Sequence, residues 1–314
     1  MTIKHDISNT LNTSNINNLS TLLDFMRWGA SRFVEAKLSY SHGLSSPLDE
    51  SVYLVLRTLR LPVDTPDIYW AAKVTENEKN SIIKVFKQRI EKRIPAAYIM
   101  KEGWFAGLQF FVDERVLIPR SPIAELVESQ FEPWVNPDEV ESVLDLCTGC
   151  GCIGIACAYA FPQATIDLSD ISQEALDVAR HNIEKHDANN RINIYQSDLF
   201  DYLYSSDLEN NQYDIIVSNP PYVDEEDMTG LSDEFHHEPE LALSSGKDGL
   251  AFTKKLLKQA ANFLTESGVL VVEVGNSQYQ LAQSFPQVPF QWVDFERGGD
   301  GVFVITKQEL NKYF

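Results

Sequence analysis

From residue 142 to residue 306 the chain alternates short β-branched runs with amphipathic stretches, and this alternation constrains the fold more than any other feature. Residues 143–146, 165–168, 192–195, 215–218, 268–274 and 302–306 read as strands, with helices between them over 152–160, 172–186 and 249–264. Strands joined through helices run parallel, so an α/β fold is expected, its mostly parallel sheet covered on both faces. Such sheets bind ligands at the carboxyl ends of their strands.

The first hundred residues follow a helical period instead. Apolar positions recur from Ser20 through Phe25, Met26, Phe33 and Leu38. Ser46-Pro47 supplies an N-cap and a first-turn proline, followed by Asp49 and Glu50 at the positive end of the helix dipole. Thr75 and Glu78 form a capping-box pattern that opens a third helix. Its outer face reads as basic, carrying Lys79, Lys84, Lys87, Arg89, Lys92 and Arg93. Aromatic and β-branched runs at 97–100, 104–112 and 116–118 then suggest strands of a short linking hairpin. The expected division is a flexible tail over 1–18, a smaller helical domain over 19–94, a hairpin linker over 95–120 and the α/β domain over 121–314.

Charge separates the two halves. Residues 1–120 hold 16 basic and 13 acidic side chains, or +3; residues 121–314 hold 10 and 33, or −23. A domain with that surplus repels duplex DNA, whose binding needs Lys and Arg against phosphates. It suits a cationic partner, although acidic surface also serves plain solubility. The longest apolar runs, such as 269–274, fall far short of the roughly 20 residues of a membrane helix. The Asn-, Ser- and Thr-rich N-terminus lacks the apolar core of a secretory signal, so a cytoplasmic protein without a membrane partner is expected. Four cysteines, Cys147, Cys150, Cys152 and Cys157, lie within eleven residues. Their spacing lacks a second ligand pair, and a tetrahedral cage there would destroy the turn they occupy; reduced thiols and no metal are expected.

That turn is the first chemical motif. Val143-Leu-Asp-Leu-Cys-Thr-Gly-Cys-Gly-Cys-Ile-Gly154 is an apolar strand running into a glycine-rich bend that opens a helix. Gly149, Gly151 and Gly154 let backbone approach a ligand where a Cβ would clash. By itself the motif serves a nicotinamide dinucleotide or S-adenosylmethionine equally well. Asp145, just before the bend, favours the second, because a carboxylate suits a cationic amino-acid end and repels pyrophosphate. Cys147, Thr148, Gly149, Cys150 and Gly151 would then cradle the cofactor. Asp170, at the next strand end, can accept from both ribose hydroxyls, with Ser172 capping the following helix and leaving Asp170 free. Asp198 repeats the placement after the third strand and can meet an adenine amino group, with Leu199 or Phe200 against the ring.

The second motif is Asn219-Pro220-Pro221-Tyr222 at the end of an apolar strand. Two prolines cannot continue a ladder, so the chain makes a rigid turn at the sheet edge. The Asn219 carbonyl and the Pro220 backbone carbonyl become preorganised acceptors suited to the two hydrogens of an NH2 group, with Tyr222 stacked on the planar group. Held so, the nitrogen lone pair is aimed at a sulfonium methyl, and alignment rather than a general base drives transfer.

Taken together, Asp145-Leu-Cys-Thr-Gly-Cys-Gly151 and Asn219-Pro-Pro-Tyr222 resemble the class I (Rossmann-like) methyltransferases of planar nitrogens, which include DNA adenine and protein-glutamine methyltransferases. Leu117-Ile-Pro-Arg-Ser-Pro-Ile-Ala-Glu125, His237-Glu-Pro-Glu-Leu-Ala-Leu243, Lys247-Asp-Gly-Leu250 and Gly298-Gly-Asp-Gly-Val302 are similar to the glutamine methyltransferases. Within them, Ser121-Pro122-Ile123 and Arg27-Trp28-Gly29 look like the subfamily acting on large-subunit ribosomal protein three. The near relatives acting on the Gly-Gly-Gln motif of release factors typically read Pro-Arg-Pro-Asp/Glu-Thr-Glu there. The resemblance implies S-adenosylmethionine as donor, S-adenosylhomocysteine as product, cofactor roles for 147–151, Asp170, Asp198 and Asn219, and substrate recognition by the helical domain. Cys147 stands where many relatives have Gly, which matters if the bend needs a positive φ. Residues 224–240 hold eight acids and no Lys or Arg, a rim suited to a basic polypeptide. Three matters stay open: whether the basic helix over 75–93 meets substrate or ribosomal RNA, or is only solvated; whether Arg120 meets the acidic loop or a cofactor carboxylate; and the alternatives of an adenine methyltransferase or a nicotinamide dehydrogenase. His236 and His237 read as solvated.

Overall fold

The computed structural model describes residues 16–204 and 212–314. Two compact units are present, the first comprising residues up to Glu102 together with Ser232–His237, the second Gly103–Leu231 and Glu238–Phe314. Of the stretch expected as a tail, 1–15 lies outside the described residues, while Ile16 is buried in the first unit's core.

The first unit contains α1 (Leu22–Glu35), α2 (Pro47–Thr58), α3 (Glu76–Glu91) and α4 (Ala96–Met100). Each of the first three has a side-chain cap: Thr21 with Asp24, Ser46 ahead of Pro47, and Thr75 with Glu78. The helices close around Phe25, Met26, Phe33, Leu54, Val55, Ile82 and Phe86. At Gly29 a Cβ would lie 2.5 Å from the Phe86 ring, so glycine permits the close approach of α1 and α3.

Two expectations fail here. Residues 97–100 are helical rather than extended, because Pro95 presets the φ from which a helical turn starts. The face of α3 is also less basic than its sequence suggests. Arg89 is buried: its Nε donates to Glu50 Oε1 at 2.6 Å, Nη1 to Glu234 Oε1 at 3.0 Å and Nη2 to the Ser39 carbonyl at 2.7 Å. Lys79 is buried as well, and Arg93 pairs with Glu234, leaving Lys84, Lys87 and Lys92 exposed. Helical periodicity places a position on a face but does not say which acidic groups arrive from elsewhere in the chain.

The second unit begins with a hairpin of β1 (Gly103–Phe105) and β2 (Leu108–Phe110), turned by Ala106 and Gly107, both at positive φ. Residues 116–118 form no strand, since the Val116 N–H bonds the Asp113 carbonyl and the Ile118 N–H bonds the Glu238 carboxylate. Then follow α5 (Ile123–Glu128), β3 (Ser142–Leu146), α6 (Cys152–Ala160), β4 (Thr165–Asp170), α7 (Gln173–Lys185), β5 (Ile192–Gln196), α8 (Asp201–Tyr204), β6 (Tyr213–Ser218) and α9 (Glu225–Gly230). After them come α10 (Ala251–Gln259), β7 (Leu264–Glu273), α11 (Gln278–Ser284), β8 (Gln291–Trp292), β9 (Val302–Thr306) and α12 (Lys307–Tyr313). The sheet order is β5-β4-β3-β6-β7-β9-β8, parallel through β7, with β9 and β8 antiparallel. The chain moves outward from β3 to β5 and then crosses to β6 on the other side of β3, so the strand order reverses between β3 and β6. Leu146 and Ser218 are register partners, which sets Cys147 and Asn219 beside one another at this switch point. A ligand crevice belongs there.

Candidate active site

The glycine bend is folded by a carboxylate beneath it. Asp145 is fully buried, and its Oδ2 accepts from Thr148 Oγ1 at 2.6 Å and from the Gly154 N–H at 2.9 Å. Cys147 takes φ +58, so the bend does adopt a left-handed conformation where a side chain is present, at a cost of about 1 kcal/mol or more. Gly149 and Gly151 are also at positive φ. A Cβ on Gly154 would meet Leu168 at 2.1 Å, so glycine there lets α6 sit close on β4. Asp170 is more occupied than expected: Oδ2 accepts from the Gly149 N–H and Oδ1 from the Ser172 N–H, each at 2.9 Å. Ser172 does cap α7, accepting from the Ala175 N–H.

A cavity of 240 Å³ opens above this bend, lined by Cys147, Thr148, Gly149, Cys150, Asp170, Asp198, Leu199, Asn219 and Pro221 among the residues singled out in the sequence. Asp145, Gly151, Pro220 and Tyr222 do not line it. Asp145 therefore shapes the bend from behind, and Pro220 is buried. The Tyr222 hydroxyl donates to Glu273 Oε1 at 2.9 Å, and its ring lies where a Cβ on Gly275 would be 2.6 Å away. The stretch Val116, Leu117, Pro119, Arg120 and Ser121 forms a further wall, with Ile171, Pro239, Leu241, Ala242 and Phe252. Ile171, an exposed apolar residue directly after the acidic strand end, carried a signal that could have been read; Phe252 carried none.

Asn219 holds the most informative atom. Its Oδ1 is buried and has no hydrogen-bond partner among the described residues. A buried carbonyl left so costs about 1–3 kcal/mol, which a ligand N–H in the cavity would offset. The loop after it closes at its base: the Val223 N–H bonds the Leu243 carbonyl and the Ser245 N–H bonds the Val223 carbonyl. Two of the eight acids in 224–240 are not part of an exposed rim. Glu234 is buried against Arg89, and Glu238 is buried, accepting from Arg120 Nη1 at 2.6 Å and Nη2 at 2.8 Å. Arg120 thus meets the acidic loop. His236 is exposed, and His237 Nε2 lies 2.8 Å from the Lys92 carbonyl.

Burial pushes the Cys147 and Cys157 thiols well up, which suits inert side chains rather than nucleophiles. Among the described residues no group of three His, Cys, Asp or Glu is arranged to hold a metal, and no helix is long and apolar enough to cross a membrane. Burial pushes Asp145 up to about 7, with Thr148 and the Gly154 N–H opposing. The folded value lies above the unfolded one of 3.8, so this group's contribution is complete below 3.8 and is lost as pH rises toward about 7. The ligand-free protein should therefore lose several degrees of melting temperature between about pH 5 and pH 8 that Asp145→Asn retains. Parallel melting curves for the two proteins would contradict this account.

A mostly parallel sheet with an antiparallel final pair, a glycine bend at one switch-point strand and an Asn-Pro-Pro-Tyr corner at the other define a class I methyltransferase. Residues 132–247 match the model of the methyltransferase small domain. The chain is 48% identical to a ribosomal protein uL3 glutamine methyltransferase of Francisella tularensis, over 95% of this chain and 94% of that one. It is 46% identical to one of Neisseria gonorrhoeae, over 93% and 96% respectively. Among solved structures it resembles a methyltransferase from Pyrococcus furiosus at 18% identity and a TM-score of 0.45, covering 64% of this chain and 89% of that one. The chain belongs to the family of ribosomal protein uL3 glutamine methyltransferases.

Proposed function

We propose that the protein methylates the side-chain amide nitrogen of a glutamine in ribosomal protein uL3, using S-adenosylmethionine. The buried, unpartnered Asn219 Oδ1 on the cavity wall carries this reading, because it asks for an N–H donor where β6 ends beside the glycine bend. S-adenosylmethionine supplies an electrophilic sulfonium methyl. Asp170 would receive the ribose hydroxyls through the lone pairs that Gly149 and Ser172 leave, while Asp198 and Leu199 would receive the adenine. Cys147 to Cys150 would present backbone to the donor's amino-acid end, with Gly151 turning the bend behind them. Asn219 Oδ1 accepts one amide hydrogen at the cavity wall, and the second is assigned to the backbone carbonyl of Pro220, a residue buried behind that wall; the pair opposes delocalisation of the nitrogen lone pair and fixes its direction. Desolvated acceptors in a fixed turn need no reorganisation during transfer.

The remaining exposed acids of the loop, Glu225, Glu226, Asp227, Asp233 and Glu240, face a basic polypeptide. Raising salt should raise KM for the protein substrate while kcat holds, and Glu225→Gln with Glu226→Gln should raise KM about threefold at low salt. A salt-independent KM would remove this steering.

The reading is tested by incubating the enzyme and labelled donor with purified uL3 and with release factors in parallel, then locating the label by mass spectrometry. Label on a uL3 glutamine is the expected result. Label on the Gly-Gly-Gln glutamine alone would transfer the function to release factors, and label on adenine would overturn it.

A further inference from the structure

Glu273 is an exception in its strand. It ends the apolar run of β7 beside Val271 and Val272, is 5% exposed, and faces no cation at ion-pair distance among the described residues. A buried carboxylate is costly unless its oxygens are hydrogen-bonded, and both are. Ser121 Oγ donates to Oε2 at 2.5 Å and the Tyr222 hydroxyl donates to Oε1 at 2.9 Å. Burial raises its pKa, with Ser121, Tyr222 and the nearby Arg120 opposing.

Each donor belongs to a segment that walls the cavity. Ser121 ends the 116–121 wall, where Arg120 is bound to Glu238 of the loop, and Tyr222 ends the corner that begins with Asn219. Backbone packs tightly around Tyr222: a Cβ on Gly249 would lie 2.2 Å from its carbonyl oxygen, and one on Gly275 would enter its ring. The phenol hydroxyl is therefore committed to the carboxylate.

We propose that Glu273 is a positioning residue for methyl transfer: by holding the Tyr222 and Ser121 hydroxyls it sets where the Asn219 and Pro220 acceptors stand relative to the donor site. This rests on the reading of those two acceptors as the amide grip. Tyr222 then acts through its hydroxyl as the anchor of the corner. An acceptor displaced by a fraction of an ångström loses aligned transfer and leaves donor binding alone, because the side-chain bonds of Asp145 and Asp170 run within the glycine bend and its neighbours while those of Glu273 run to Ser121 and Tyr222.

The test is a double-mutant cycle on Tyr222→Phe and Glu273→Ala, measuring kcat and KM on uL3 and, separately, donor affinity by calorimetry. Each single variant should lose about tenfold in kcat with donor affinity within twofold of the parent. The double variant should lose no more than the worse single, and Glu273→Gln, which keeps one acceptor oxygen, should recover part of the loss. Losses that multiply in the double variant, a parental kcat in Tyr222→Phe, or a loss confined to donor affinity would each overturn the proposal. Should Glu273→Ala fail to fold, the cycle is closed with Glu273→Gln and the same criteria. A parent enzyme that leaves uL3 unlabelled sinks the amide reading and this proposal with it, whereas a labelling parent with unaffected variants sinks the proposal alone.

Discussion

Asn219→Ala should abolish glutamine methylation, lowering kcat by about 10³-fold or more while donor affinity stays within a few-fold of the parent. The substitution removes a buried side-chain acceptor at the corner that no group among the described residues satisfies. Losing it removes both the grip on one amide hydrogen and the alignment that the grip gives. Single-turnover rates with saturating donor, together with a calorimetric donor titration, separate the two quantities. Measurable turnover near the parent's rate would refute the role assigned to Asn219, and a parallel collapse in donor binding would mark it as a cofactor residue instead.

The largest effect on stability should come from Arg89→Ala. Arg89 is 1% exposed and binds Glu50, Glu234 and the Ser39 carbonyl, so its removal strands the buried Glu50 and leaves the buried Glu234 only Arg93 and the Ser39 N–H. Breaking a buried ion pair from one side costs about 3–5 kcal/mol. In a unit of this size that lowers the melting temperature by on the order of 10 °C. Because the damage is uncompensated charge, adding Glu50→Gln and Glu234→Gln to the same chain should restore much of the loss. Thermal denaturation followed by circular dichroism decides it: an Arg89→Ala transition within a degree or two of the parent would show that these carboxylates find other partners.

How far the sequence could be read depended on the range of the interactions involved. The parallel strands, α6 and the caps at Ser46 and Thr75 lie where periodicity and local capping chemistry put them, since neighbours in sequence determine them. The glycine bend and the Asn-Pro-Pro-Tyr corner were legible for the same reason, each being a local backbone requirement at a strand end. What escaped were side chains whose partners lie far along the chain. Arg89 and Glu234 are 145 residues apart, so charges expected on a basic face and an acidic rim form an internal pair, and Arg120 and Glu238 are 118 apart, so sequence left the partner of Arg120 open between the acidic loop and a cofactor carboxylate. The partner of the Tyr222 hydroxyl escaped likewise, because Glu273 lies 51 residues away. The strand read at 116–118 has the right residue types but no ladder to join, and its amides bond to Asp113 and Glu238.

The seal at the base of the loop, where Val223 exchanges backbone bonds with Leu243 and Ser245, separates two kinds of evolutionary freedom. With both ends fastened together, residues at the exposed crest around 226–230 can be lengthened, shortened or recharged, and neither strand end behind them is obliged to move. On the proposed reading, divergence in which polypeptide is accepted can accumulate at that crest while the corner assigned the chemistry is inherited intact.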